Sequence, residues 1–518
     1  MRRTFYVMGK MSRNGVSIGP GKMLRLAREG GPGSPDSAYG LGVSSCCEVI
    51  KMDNAFDLIV IGGGGGGYPA AFRLARAGRS VLLVDDKGNL GGNCLYEGCV
   101  PSKAVRESIA LFQHIQEADR FGLQVAGAHA DWRAIRAYKD GIQTRRYRQH
   151  TEEIEATPRL TFIRGRARFL DSRRVEVTDH DRGTQTVVTG TDILIAAGSE
   201  ASALTVPGFE LTWNHHQLFA WQDTVESLPD SVIIVGAGYI GLEVASMLAD
   251  LGVKTTVLEK ADTVLPGMDR QLASVLADIL HDRITIITGV TVNAIVKLPG
   301  GGYQVEGLAQ GASEPRRWQA GQVISAVGRR PYLTPELGLD QAGVHYSPKG
   351  IVVDAMMRTN VPHIWAAGDV TGQSMLFHAA VRMSEVAAHA ILDPDGTADR
   401  FRAEEMPATV FTRPEAMSVG WTREMAERFG EPVFEVERSM GVEARAQIAL
   451  STPGFLKMVI SRQTGQIRGI HAVGVDAADL SAVAHLIVRL GLTPRQLGQM
   501  TFPHPTQFEI FDRLARNV

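Results

Sequence analysis

Two cysteines five positions apart, in Leu90-Gly-Gly-Asn-Cys-Leu-Tyr-Glu-Gly-Cys-Val-Pro-Ser-Lys103, are the residues of this chain best suited to chemistry. The 518 residues hold only four cysteines, which excludes a secreted disulfide scaffold and turns attention to redox or metal chemistry. In a regular helix a five-residue step rises about 7.5 Å, beyond the limit of about 6.8 Å between bridged Cα atoms. A bridge between Cys94 and Cys99 therefore needs a local distortion, which Gly98 and Pro101 can supply. Pro101 suits the first turn of the following helix, predicted over Ser102–Gln116. The positive end of that helix, with Lys103 beside it, should lower both thiol pKa values. A zinc site is poor because no third and fourth ligand stands at metal spacing, so no metal is expected. The inert alternative is a pair of buried, reduced cysteines.

Redox chemistry at a thiol pair needs an electron carrier, and two segments have the form of nucleotide cradles. Phe56–Ala75, with its glycines Gly62 to Gly67, leads into Ser80–Asp85. Ser231–Ala249 repeats the plan 174 residues later and leads into Lys254–Glu259. Each reads as a buried strand, a glycine turn, an amphipathic helix and a second strand ending in an acid. Gly62 to Asp85 and Gly236 to Glu259 both span 23 positions. One glycine run alone is often only a flexible turn; two complete βαβ units with the same acid spacing are a specific signal. Gly62 and Gly236 allow the tight turn, Gly64 and Gly238 admit a pyrophosphate, and Gly67 and Gly241 permit close helix–sheet packing. Asp85 and Glu259 can accept hydrogen bonds from a ribose diol. An acid at Glu259 repels a 2′-phosphate and so favours NAD over NADP.

Further strand-and-glycine ends stand at Asp192–Ser199, Gln322–Pro331 and His363–Asp369. From about residue 403 the pattern changes to antiparallel strands (Ala408–Thr412, Gly454–Ile460, Ile467–Val473) followed by a helix over 478–490, which suggests a separate α+β domain. The predicted fold is thus α/β, with two Rossmann-like dinucleotide-binding domains and a C-terminal α+β domain. Residues 1–52 form a basic leader, with eight Lys and Arg against three acids over 1–51, while the rest is acidic; together they sum to a net charge of −2. Lacking an apolar secretory core, the leader reads as an organelle transit segment or, preferred here, a tail ahead of a start at Met52. Cys46 and Cys47 within it receive no function. The near-neutral balance argues against a nucleic-acid partner, and no run of eighteen apolar residues exists to span a membrane.

Gly91–Lys103 resembles the redox-active signature of the pyridine nucleotide–disulfide oxidoreductases. From about residue 55 to the C-terminus the chain is similar to the dihydrolipoamide dehydrogenase branch of that family. The likeness rests on both nucleotide units, Ala367-Gly-Asp369, Met375-Leu-Phe-His378 and His504-Pro-Thr-Gln-Phe-Glu509. It implies a glutathione-reductase-like fold: an FAD domain at 53–200, an NAD domain at 201–330, a flavin-side continuation at 331–402 and a dimerisation domain at 403–518. FAD would be held by Gly62, Gly64, Gly67, Asp85, Gly92, Lys103, Ala167, Ala196, Gly198 and Asp369, with Met375, Leu376, Phe377 and His378 along the flavin. NAD would be held by Gly236, Gly238, Tyr239, Gly241, Glu243, Glu259 and Gly328, with Glu243 also the partner of Lys103 near the flavin N5.

The same resemblance implies electron flow between NAD and a dithiol through FAD and a Cys94–Cys99 disulfide. Cys99 would face the flavin and Cys94 would exchange with substrate. His504, oriented by Glu509, would be the base, supplied by the partner subunit of a homodimer. The implied substrate is a protein-bound dihydrolipoyl group, on a lipoyl carrier protein or a 2-oxo-acid dehydrogenase complex in the cytoplasm. Tyr96-Glu97 departs from the Asn-Val usual between the cysteines; so do Ala197 (usually Thr), Phe377 (Ala), Phe502-Pro503 (His-Ala) and Phe508 (Ser). A mercuric reductase-like role is the nearest rival, but its C-terminal cysteine pair is missing, the last cysteine being Cys99. A docked binding subunit of a lipoyl complex is the alternative from another class.

Overall fold

The computed structural model describes residues 54–222, 225–396 and 399–518; the leader with Cys46 and Cys47 lies outside the described residues. Strand β1 (Ala55–Ile61), helix α1 (Tyr68–Arg76) and strand β2 (Val81–Asp85) form the first βαβ unit. The two strands are nearly continuous apolar runs because both faces of the sheet are covered. Two helices follow, α2 (Gly92–Tyr96) and α3 (Cys99–Gln116), then the long α4 (Trp132–Glu155). Strands β3 (Leu160–Phe169), β4 (Arg174–Asp179) and β5 (Thr184–Ile195) complete the first sheet with a strand from far along the chain, Ile364–Ala366. β3, β2, β1, β5 and Ile364–Ala366 pair in parallel, and β4 bridges the projecting ends of β3 and β5. The helix Phe377–Leu392 covers this sheet beside α1, burying Leu74 and Leu83 against Met383 and Val386.

Helix α5 (His215–Phe219) leads into the second unit: strand Ser231–Val235, helix α6 (Tyr239–Asp250) and strand Lys254–Leu258. These strands lie between Gln322–Ser325 and Thr285–Ile287 in a four-stranded parallel sheet. The last region is a five-stranded antiparallel sheet over residues 408–474, with Ala477–Arg489 and Glu509–Ala515 packed on it around Met417, Ile470, Leu480 and Phe511. Its strand Phe455–Ser461 is buried along its whole length. Lys457 can lie inside because Asp269 Oδ2, at the start of a helix of the second unit, stands 2.6 Å from its Nζ and Glu435 Oε1 3.3 Å from it.

Three local boundaries differ from the sequence reading. The strand ending at Ile195 begins at Thr184, because pairing with β4 extends it beyond the apolar stretch. The late helix covers Ala477–Arg489, one residue earlier than expected. Helix α3 begins at Cys99 and not at Ser102, since the break falls at Glu97-Gly98 and Pro101 sits inside the first turn, where no intrahelical N–H is needed.

Candidate active site

The two glycine turns are built alike. Gly62 and Gly236 have φ near +108° and +106°, and a Cβ on them would fall 2.2 Å from Ala196 O and 2.4 Å from Ala326 O. A Cβ on Gly67 or Gly241 would fall 1.9 Å from the carbonyl oxygen of Gly62 or Gly236 respectively. These four glycines are required by the protein's own packing. Gly64 and Gly238 are different: the nearest atom to a Cβ is 3.8 Å away at Gly64, and none lies within 4 Å at Gly238. The middle glycine of each turn thus faces open space at the start of a helix, as a pyrophosphate cradle requires.

Both acids hold their turn by backbone bonds. Asp85 Oδ2 accepts from Gly63 N at 2.7 Å and Glu259 Oε2 from Ala237 N at 2.6 Å, while their other oxygens accept from Lys87 N and Ala261 N. Burial pushes the Asp85 carboxyl up to about 6, against the pull of these N–H groups.

A cavity of about 1270 Å³ opens between the two units. Gly62, Gly64, Asp85, Gly92, Lys103, Ala167, Ala196, Gly198, Asp369 and the run Met375 to His378 line it, together with Cys94, Cys99, Gly238, Tyr239, Glu243 and Gly328. Gly67, Gly236, Gly241 and Glu259 do not line it, the glycines being spent on packing. His504 and Glu509 are also outside it.

Both cysteines line the cavity. Their side chains are hydrogen-bonded to each other as thiols. The expectation that both pKa values fall is corrected. The bond from Cys94 and the Lys103 cation hold the Cys99 thiol below its ordinary value against burial. Cys94 is pushed up, first by donating that bond and then by burial. The lowered pKa belongs to one sulfur because one proton is shared between two.

Lys103, one turn along α3 from Cys99, meets Glu243 Oε2 of α6 at 2.7 Å, and the other Glu243 oxygen accepts from Phe411 N at 3.0 Å. The Phe411 ring lies 4.3 Å from Lys103 Nζ. One carboxylate thereby joins α3, α6 and the start of the C-terminal region. At the far end of the chain His504 Nδ1 donates to Glu509 at 3.0–3.1 Å, and Arg513 Nη2 donates to the same carboxylate at 2.6 Å. Burial would raise Glu509, but His504, the Thr506 N–H and Arg513 outweigh it and hold the carboxyl below its ordinary range. His504 itself is exposed.

Several residues that hold the site were not singled out by sequence. Gln143 of α4 donates to Leu95 O and Tyr96 O at 2.9 and 2.8 Å, fixing the end of α2. Ser199, His215 and Arg329 connect the cysteine loop to Asp369. The unusual Glu97 and the adjacent His215-His216 were the only sequence signals for this network. Phe377, bulkier than the Ala usual there, fits because its ring lies against Gly65, where a Cβ would approach it to 3.0 Å.

The glycine geometry makes a paired prediction. A Cβ at Gly66 would fall 2.5 Å from Ala367 O, so Gly66→Ala must push the first turn off the strand end that leads to Asp369. We expect purified Gly66→Ala to lose both flavin content and thermal stability. Gly64→Ala has room in the protein, so it should lose flavin affinity while the flavin-free protein melts as wild type. Absorbance ratios and melting curves check both; equal melting losses would show that Gly64 is only a packing glycine.

Fold and site together define a flavoprotein disulfide oxidoreductase that uses FAD and NAD. Residues 56–384 match the pyridine nucleotide-disulphide oxidoreductase family and residues 406–515 its dimerisation domain, and the chain belongs to that family. A dihydrolipoyl dehydrogenase of Bacillus subtilis is 33% identical over 464 residues, covering 87% of this chain and 96% of the relative. One from Geobacillus stearothermophilus is 31% identical, covering 88% and 94%. Among solved structures, a Cu(II) complex of the HOCl-induced flavoprotein disulfide reductase RclA from Escherichia coli has a TM-score of 0.76 at 26% identity, covering 90% of this chain and 100% of that one. Among the described residues no helix is long and apolar enough to cross a membrane.

Proposed function

We propose that the protein is an NAD-dependent dihydrolipoyl dehydrogenase of the cytoplasm, oxidising dihydrolipoyl groups carried by a lipoyl protein or a 2-oxo-acid dehydrogenase complex. The observation that carries this reading is the single cavity bordered by both middle glycines, the Lys103–Glu243 pair and the Cys94–Cys99 thiols. The first turn, Asp85, Gly92 and Asp369 would hold FAD, and Gly238, Tyr239 and Gly328 the nicotinamide dinucleotide. Bound FAD supplies two-electron transfer between nicotinamide and disulfide.

The chain's own residues do the rest. The substrate thiolate attacks Cys94 of the internal disulfide, breaking the S–S bond so that Cys99, with its lowered pKa, leaves as thiolate. The second substrate thiol then displaces Cys94, releasing the substrate as a cyclic disulfide and leaving the pair reduced, and the Cys94–Cys99 bridge would re-form as its two electrons pass to the FAD site. His504, held in one tautomer by Glu509, takes the substrate thiol proton. The dyad stands outside its own protomer's cavity, so it would act on a partner's cysteines across a homodimer. Lys103 keeps a positive charge beside the flavin site, stabilised by Glu243 and by the Phe411 ring.

A second reading, reduction of another disulfide, draws on Phe502-Pro503, which changes the surface beside the base. Steady-state turnover of dihydrolipoamide, oxidised glutathione and mercuric ion under the same conditions separates the readings. We expect dihydrolipoamide with NAD to be turned over fastest. Turnover no faster than that of His504→Ala would remove the lipoyl reading.

A further inference from the structure

We propose that His215 is a positioning residue of the redox pair, a protonation-sensitive link between the loop joining the two cysteines and the network around Asp369. The proposal rests on the assignment of Cys94 and Cys99 as the exchanging pair.

The loop is tied down beside each cysteine. Asn93, just before Cys94, donates from Nδ2 to Ser199 O at 2.8 Å. Glu97, two residues before Cys99, receives His216 Nδ1 on Oε2 at 2.7 Å, and His215 Nε2 stands 3.7 Å from its Oε1. Arg329 gathers the other end: its Nε and Nη2 donate to Ser199 Oγ and O at 2.9 and 2.8 Å, and Ser199 Oγ donates to Asp369 Oδ2 at 2.6 Å. The Asn93 anchor thus reaches Ser199 directly, while the Glu97 anchor lies beside His215, whose Nε2 meets Arg329 and through it Ser199.

His215 is the adjustable member. Arg329 Nη1 lies 3.0 Å from His215 Nε2, the same nitrogen that faces Glu97. Arginine can only donate, so this nitrogen accepts and the ring is neutral in this arrangement. With the lone pair used by Arg329, it offers no proton to Glu97, and the 3.7 Å gap is that of two acceptors. Protonation reverses the partners: the imidazolium repels Arg329 and donates to Glu97. The loop anchor is then strengthened while the tie to Ser199 and Asp369 is loosened.

Other charged and titratable groups surround the link. Lys87, after β2, lies 4.1 Å over the ring of Tyr96, and Tyr147 of α4 and His216 of α5 complete the setting. Burial would raise Glu97, but the imidazoles of His215 and His216 facing it and the Lys87 cation hold it at about 2, so it stays an anion throughout the working range. His215 is buried, whereas the neighbouring His216 is exposed. Making or breaking the S–S bond changes the separation of the sulfurs, so a change in the Glu97 anchor is felt as a change in thiol reactivity.

The test is the alkylation rate of Cys94 and Cys99 in the NADH-reduced holoenzyme, followed by peptide mass spectrometry from pH 5 to 9. The wild type is expected to show, besides the thiols' own titration, a second pH-dependent step, as a histidine link requires. His215→Gln and Glu97→Gln should lose that step, and His216→Gln should keep it. Persistence of the step in a flavin-loaded His215→Gln or Glu97→Gln overturns the proposal; if the His215 variant does not fold, the isosteric Glu97 variant decides. Failure of NADH to free either thiol in the wild type removes the redox assignment, and the proposal with it.

Discussion

Cys94→Ser is expected to lower dihydrolipoamide-dependent reduction of NAD by at least about four orders of magnitude, the scale of losing a covalent nucleophile. Serine cannot form the mixed disulfide, and Cys99 alone has no sulfur to close on. Oxidation of NADH by an artificial electron acceptor should persist within a few-fold, because Gly238, Tyr239, Lys103 and Glu243 are untouched. The two assays on one preparation separate lost chemistry from lost folding. Dithiol turnover above about one per cent of wild type would mean that Cys94 is not the exchanging sulfur. The thiol geometry makes a finer distinction: reduction with NADH should give a long-wavelength band from a Cys99 thiolate beside the flavin, and Cys99→Ser, which removes the sulfur with the lowered pKa, should lack it.

His504→Ala is expected to reduce kcat/KM for the dithiol by about 10²–10⁴, the usual worth of a general base, again sparing the artificial-acceptor reaction. Glu509→Gln should cost less, since the amide can still orient the ring, and Arg513, losing one of two anionic partners, keeps Glu443. Because the dyad does not line the cavity of its own chain, complementation tests where it works. In an equal mixture of Cys94→Ser and His504→Ala subunits, each mixed dimer regains one intact site, restoring about a quarter of wild-type activity. No recovery after verified subunit exchange would place the base in the same chain as the cysteines it serves. The lowered Glu509 carboxyl also fixes a pH dependence. A depressed folded pKa contributes stability above the ordinary carboxyl range near pH 4.3, and this is lost as pH falls through the lowered value. The His504–Glu509 pairing should therefore survive mild acid.

The family and the fold class were legible in the sequence because each depends on local pattern. A glycine turn with its acid 23 residues on is one supersecondary unit, and the physical demands on Gly62, Gly67, Gly236 and Gly241 come from atoms of the same unit or the adjoining strand end. The cysteine loop, its proline and Lys103 are likewise contiguous. Segment ends were less legible: the helix after the cysteines starts at Cys99 because the chain breaks at Gly98, and propensity alone did not distinguish that glycine from Pro101 as the boundary.

Tertiary structure decided what contiguous sequence cannot encode. Whether a lowered thiol pKa belongs to Cys94 or Cys99 depends on which sulfur donates to the other and on where Lys103 lies. The bulk of Phe377 was legible, but its tolerance depends on Gly65, more than three hundred residues earlier and brought beside it by the helix that covers the first sheet. Glu97 reads as a mere departure from pattern until α5 and the strand Arg329–Pro331 bring His215, His216 and Arg329 to it from other parts of the chain. The sequence by itself determined the chemistry, because that chemistry lies in short segments with fixed spacing. Only the folded chain decided how the thiols are held and tuned, because hydrogen bonds and electrostatics act over ångströms and not over sequence positions.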